Sequence, residues 1–267
     1  MTNNELETQT AAERAADGPE EGRRVEAEIE IDAPIEAVWE ALTDADELVR
    51  WFPLDARVTP GEGGELWMSW KNEWEGASRI LAWDPPRRLR TSWGEIDGEA
   101  GGQRTEYNLE ARGGRTYLRV VTSGFPDDPT WDAWVEGTQR GWTFELFSLR
   151  HYLEQHAGED REVLYLRRRT RLPRQEAWER LTGPDGLAPQ DFGGTVVDLS
   201  PPTQFAALAE SPPGLVRMSM EPCHEGPDGL DVTLWLSAWG EHGVDLDSLE
   251  KEWRALLAGL FPEGAFA

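Results

Sequence analysis

The chain reads as an α+β fold in which an antiparallel sheet packs on one long helix, with the arrangement present twice in tandem. Three observations predict it. Residues 25–31 alternate apolar and acidic with period two, and strand-length segments between turn signals then lead into a single long amphipathic helix. A Pro-led, Trp-containing helix near residue 34 also recurs near residue 173.

The first strand places Val25, Ala27, Ile29 and Ile31 on one face and Glu26, Glu28, Glu30 and Asp32 on the other. In "DAPIEAVWEAL", Asp32 is a candidate cap and Pro34 suits a first helical turn, while Ile35, Val38, Trp39 and Leu42 recur at helical spacing. "TDADELVRWF" follows as a short helix or turn. The segments "GELWMSW", "SRILAWDPP", "RRLRTSWGE", "RTEYNLEARGG" and "RTYLRVVTSGF" read as about five further strands, and Arg112-Gly113-Gly114-Arg115 marks a hairpin. Asp128-Pro129 then opens a long helix with Trp142, Leu146, Leu149 and Leu153 as its stripe. Gly137 and Gly141 each cost ~1 kcal/mol against Ala in a helix, so its first half is expected to be irregular and its regular part to start near Arg140.

The second copy begins with "REVLYLRRRTRLPRQEAWERLTGPDGL". Pro34, Trp39, Leu42 and Thr43 match Pro173, Trp178, Leu181 and Thr182 at a constant spacing of 139 (173 minus 34). Pro85-Pro86 matches Pro201-Pro202 at a spacing of 116, so 23 residues, about one hairpin, are missing between these landmarks. A closing helix carries Leu249, Trp253, Leu256 and Leu260 as its expected stripe. The expected organisation is a disordered acidic tail over 1–22, a first domain over 23–158 and a shortened, degenerate copy over 159–267.

Composition narrows the function classes. The formal charge is −25, from 51 Asp and Glu against 26 Lys and Arg. Such a field repels phosphate backbones and anionic head groups, so neither nucleic acid nor a membrane is an expected partner. A solvated acidic surface is the simplest account of it. The single cysteine, Cys223, excludes an intrachain disulfide. No apolar run approaches the ~18 residues of a bilayer span, and the polar start of the chain is unlike a signal peptide, so a cytoplasmic location is expected.

"APIEAVWEALTDADELVRWF", the Gly63-Gly64 pair, "WDPPRRLRTSW", "RTYLRVVTSGF" and "GWTFELFSLRHYL", in that order, resemble the START-like superfamily, also called SRPBCC or birch-pollen-allergen-like. Within it they resemble the branch named after the C-terminal domain of the activator of heat shock protein 90 ATPase. The likeness spans residues 23–158 closely and the remainder in outline. It implies a helix-grip fold, a curved antiparallel sheet wrapped around a long C-terminal helix, often with a deep apolar cavity. Members bind hydrophobic small molecules, some catalyse cyclisation or hydrolysis, and some assist a chaperone. The matching motifs are structural, and no catalytic residue comes with them.

The residues themselves offer little chemistry. His151 and His156 are five apart, whereas a shared helix face needs three or four. Cys223 and His224 are adjacent, and neighbours in a strand point to opposite faces. No phosphate loop, nucleophile elbow or dinucleotide fingerprint is present. Glu73 and Glu75 read as solvated loop acids. No catalytic residue, metal ligand or cofactor is expected. The aromatic residues carry the functional expectation. Trp70, Trp93 and Tyr107 are inward candidates from three strands, joined by Met68 and Leu118, and Trp142, Leu146 and Leu149 face them from the helix, with Trp51 and Phe52 at the entrance. Filling a core is the bland alternative for every one of them. The leading expectation is non-enzymatic binding of a small hydrophobic molecule between sheet and helix of the first domain. The rivals are a cyclase- or hydrolase-type enzyme in the same cavity, and a chaperone cofactor or other protein-interaction module.

Overall fold

In the computed structural model, residues 22–70, 74–93, 102–222 and 229–266 are described. Nearly all of the acidic stretch expected as a tail, and also Glu73, Cys223 and His224, lie outside them. The chain forms two compact units, Met1–Glu154 and Gln155–Ala267.

The first unit opens with β1 (Arg23–Ile31), α1 (Ile35–Thr43) and α2 (Ala45–Leu48). The meander β2 (Asp55–Thr59), β3 (Glu65–Ser69), β4 (Glu75–Asp84), β5 (Arg88–Trp93), β6 (Arg104–Arg112) and β7 (Arg115–Phe125) follows, and α3 (Asp132–Gln155) closes the unit. The sheet order is β1-β7-β6-β5-β4-β3-β2, antiparallel throughout. The meander has one strand more than the sequence indicated. The addition is the edge strand β2, "DARVT", in which only Ala56 is buried, so it carries almost no period-two signal.

Alternation in β1 does what its pattern implies. Val25 and Ile31 are buried, while the acids of the other face meet β7: Arg119 bonds Glu26 at 2.6 Å, Arg115 bonds Glu30 at 2.8 Å, and the Tyr117 hydroxyl bonds Glu28. The β6–β7 turn takes Gly113 at φ 61° and Gly114 at φ 89°, the left-handed pair that a two-residue hairpin demands.

Pro34, rather than Asp32, stands at the head of α1, with no side-chain cap. Asp32 instead has its backbone N–H bonded to Glu154 Oε1 at 2.9 Å. The helix ends after Thr43, whose hydroxyl bonds the Trp39 carbonyl at 2.7 Å, because Asp44 turns extended (φ −97°, ψ 133°) and caps α2 through the Asp46 and Glu47 N–H groups.

A short 3₁₀ turn, Pro129–Trp131, is capped by Asp128 and runs straight into α3. That helix is continuous for 24 residues through Gly137 and Gly141, so the expected irregular first half does not exist. Tertiary contacts outweigh the glycine cost: Gln139 bonds the Glu26 carbonyl and Trp142 Nε1 bonds Thr122 Oγ1 at 2.9 Å. Its buried face is Phe144, Leu146, Ser148, Leu149 and Tyr152, and Leu153 is only half-buried. Ser148 and Tyr152 use their hydroxyls to hold the Trp51 carbonyl (3.0 Å) and Glu47 (2.6 Å).

The second unit comprises β8 (Arg161–Thr170), α4 (Arg174–Leu181), β9 (Thr195–Ser200), β10 (Gln204–Glu210), β11 (Pro213–Pro222), β12 (Leu230–Trp239) and α5 (Leu246–Leu260). Its sheet order, β8-β12-β11-β10-β9, is the order β1-β7-β6-β5-β4 without the β2–β3 hairpin. Pro85-Pro86 and Pro201-Pro202 occupy the equivalent β4–β5 and β9–β10 turns. The duplicated helix ends in the same way, with the Thr182 hydroxyl on the Trp178 carbonyl at 2.8 Å. Trp39 and Trp178 are both buried and both edge-on to another ring, Trp83 at 5.2 Å and Phe205 at 6.2 Å. On α5 the buried residues are Trp253 and Leu257, and Leu256 is half-buried. The four-residue spacing from Trp253, rather than three, points at the sheet.

Candidate functional site

In the first unit α3 presents Thr138, Gly141, Trp142 and Glu145 along one face, spaced three, four and seven residues from the first. Opposite them stand Thr105 of β6 and Thr122 of β7, paired across the sheet, with Trp93 at the end of β5 and Gln103 just before β6. Phe52, which follows α2, completes the wall. Together these nine residues line a cavity of about 260 Å³. Small-molecule sites run from ~300 to 1,000 Å³, so the space suits one small ring system better than a sterol-sized body.

Rings form one side of the cavity. Phe52 lies 6.0 Å from Trp142 and 5.1 Å from Trp70, and Trp142 meets Tyr107 edge-on at 5.7 Å. Trp70 meets Trp74 at 5.5 Å, and Trp74 meets Trp93 at 4.8 Å. Polar groups form the other side. Trp142 Nε1 donates to Thr122 Oγ1, the Thr122 and Thr105 hydroxyls share a bond of 3.2 Å, and the Thr138 hydroxyl donates to the Trp134 carbonyl at 2.9 Å. Burial pushes the Tyr107 phenol well above its ordinary pKa of 10.0, which keeps it protonated behind Trp142.

Of the ten residues singled out from the sequence, Phe52, Trp93 and Trp142 line this cavity. Trp70 supports it through Phe52. Tyr107 stands behind Trp142, and Met68, Leu118, Leu146 and Leu149 are buried packing. Trp51 is 1% exposed with Nε1 bonded to the Ala41 carbonyl at 2.7 Å, which makes it a core anchor and not an entrance residue.

The polar lining escaped the sequence reading although signals for it existed. Thr105 and Thr122 sit on the inward phase of Tyr107 and Leu118, and Glu145 is three residues after Trp142. Gly141 is a helix-interior glycine whose added Cβ would meet nothing within 4 Å.

Among the described residues no group of three or more His, Cys, Asp or Glu is placed to hold a metal ion. His151 stacks on Phe147 at 6.3 Å, His156 stacks on Trp239 at 5.1 Å and bonds Glu159, and His242 bonds Glu162. No helix among the described residues is long and apolar enough to cross a membrane.

The cavity lies within the segment that comparison with known proteins matches. Residues 32–154 match the family model described as activator of Hsp90 ATPase homolog 1-like protein. No curated protein matches the chain. Among solved structures, the chain is similar to the Aha1 dimer from Colwellia psychrerythraea at 22% identity and a TM-score of 0.45, covering 51% of this chain and 99% of that one. It is also similar to CalU16 from Micromonospora echinospora (26%, TM-score 0.41, 50% of this chain and 78% of that one). Protein MLL2253 from Mesorhizobium loti is a further relative (25%, TM-score 0.43, 50% and 98%). The cavity-bearing segment of the first unit, residues 32–154, is thus the part of the chain that is similar to the activator of Hsp90 ATPase homolog 1-like family.

Proposed function

We propose that the first unit binds a small, flat, largely hydrophobic molecule without transforming it, in the cavity between the sheet and α3. The supporting observation is the lining itself: three rings, Phe52, Trp93 and Trp142, around about 260 Å³ beside a short row of polar groups. Rings supply apolar area and orientation, and a few convergent polar atoms supply selectivity. Glu145 is the single ionisable residue among the described lining residues. An acid–base mechanism needs such a group, but acyl or glycosyl chemistry also needs a second group in reach, and none of the described lining residues offers one.

A second reading, a protein-interaction module, draws on Trp131 and Trp134, which are 36% and 52% exposed and edge-on at 6.4 Å. The binding reading is tested by titrating the full chain with naphthylmethanol and a panel of uncharged bicyclic compounds, followed by calorimetry and melting temperature. A ligand at a hundred times its Kd adds ~2.7 kcal/mol of stability. Absence of both heat and stabilisation across the panel refutes the reading, and pull-down against purified Hsp90 then becomes the next measurement.

A further inference from the structure

We infer that the preferred occupant of this cavity is an uncharged bicyclic lactam, a flat ring system with an N–H beside a C=O on one edge, which pairs with the side-chain amide of Gln103 while its rings lie against Phe52, Trp93 and Trp142. The inference rests on the binding function proposed above and narrows it to one ligand class.

Gln103 lines the cavity with a donor and acceptor set to spare. It extends the inward phase of Thr105 and Tyr107 by one step, since residues two apart on a strand share a face. Its backbone is held in place: the carbonyl accepts from the Trp93 N–H at 2.8 Å, and a Cβ added at Gly124 would come within 3.4 Å of its Cα. The side-chain amide bonds no described residue. It therefore offers two N–H donors and one carbonyl acceptor to an occupant.

The polar groups beside it are largely spent. Trp142 Nε1 donates to Thr122, Thr138 donates to the Trp134 carbonyl, and the Thr105–Thr122 bond uses one of the two hydroxyl protons. Whichever way that bond runs, one hydroxyl proton is left as a further donor. A ring lactam answers this set. Its C=O accepts from the Gln103 N–H and the remaining hydroxyl, and its N–H donates to the Gln103 carbonyl, closing the cyclic pair that two amides form. A ligand with a carbonyl alone leaves the Gln103 carbonyl without a partner once water is expelled. A carboxylate lacks the proton that this carbonyl needs. It also finds no basic side chain among the described lining residues, in a chain of net charge −25.

The test is calorimetric titration of the full chain with two bicycles of nearly one shape, 2-quinolinone and coumarin, in which a ring oxygen replaces the N–H; naphthylmethanol is the third probe. Expected is affinity for 2-quinolinone at least about tenfold above coumarin. Gln103→Met, close in length but without the amide, should bring that ratio close to one. Its melting temperature should match the parent's, because the side chain it replaces bonds no described residue. Gln175→Met, which removes an amide bonded to Glu179 on α4 of the second unit, should leave the ratio as it is.

Coumarin binding as tightly as 2-quinolinone overturns the lactam inference and leaves the binding function standing, as does binding of naphthylmethanol alone. A preference that survives Gln103→Met overturns the role of Gln103. No binding by any of the three probes refutes both the inference and the function it rests on.

Discussion

Gly141 belongs both to the helix α3 and to the lining of the cavity. A glycine in a helix interior costs ~1 kcal/mol relative to Ala, and α3 carries two, Gly137 and Gly141. A Cβ at either would meet no heavy atom within 4 Å, so neither replacement should cause a clash. Gly137→Ala and Gly141→Ala should therefore each stabilise by up to ~1 kcal/mol, raising Tm by roughly 3–5 °C for a unit of this size. Their effects on the cavity should differ, because only Gly141 lines it. Gly141→Leu projects a branched side chain into a space of about 260 Å³ and should lower the affinity of naphthylmethanol at least about tenfold, measured calorimetrically. Gly137→Leu should leave that affinity unchanged. A folded Gly141→Leu protein that binds the probe as well as the parent would refute the placement of the site. Destabilisation by both Ala variants would refute the account of α3 as a helix that tolerates glycine only because tertiary contacts hold it.

Thr122→Val keeps the shape but leaves the Trp142 N–H and the Thr105 hydroxyl without their partner; a loss of ~1–3 kcal/mol is expected in denaturant unfolding, together with a shift in Trp emission. In the β6–β7 turn, Gly113→Asn should be nearly neutral because Asn tolerates φ near 61°, whereas Gly114→Ala at φ 89° should destabilise by ~1 kcal/mol. Asp245 caps α5 by accepting from the Ser248 side chain and N–H, which holds its carboxyl below the ordinary 3.8. A folded value below the unfolded one gives stability that is present above about pH 4 and lost as pH falls through the folded value. Asp245→Ala should thus lower Tm at pH 7 and make little difference near pH 2; an equal effect at both pH values would show that the cap acts without its charge.

The sequence by itself determined the order of elements, the α+β class and the duplication. Apolar periodicity of two and 3.6 residues, Pro at helix starts and Gly-Gly at a hairpin are local properties. The 23-residue deficit appears as the loss of the β2–β3 hairpin. The family segment was legible for a similar reason, since its motifs are the helix, turns and strands that build the fold. Tertiary structure decided the rest. It kept α3 continuous through two glycines by bonds to β1 and β7, and on α5 it buried Leu257 in place of Leu256. It also separated the aromatic residues into packing and lining. Trp51 and Phe52 are adjacent in sequence, yet one indole is locked onto the Ala41 carbonyl and the other ring faces the cavity. The polar wall of Thr105, Thr122 and Glu145 comes from three distant segments, and only folding brings them to one cavity.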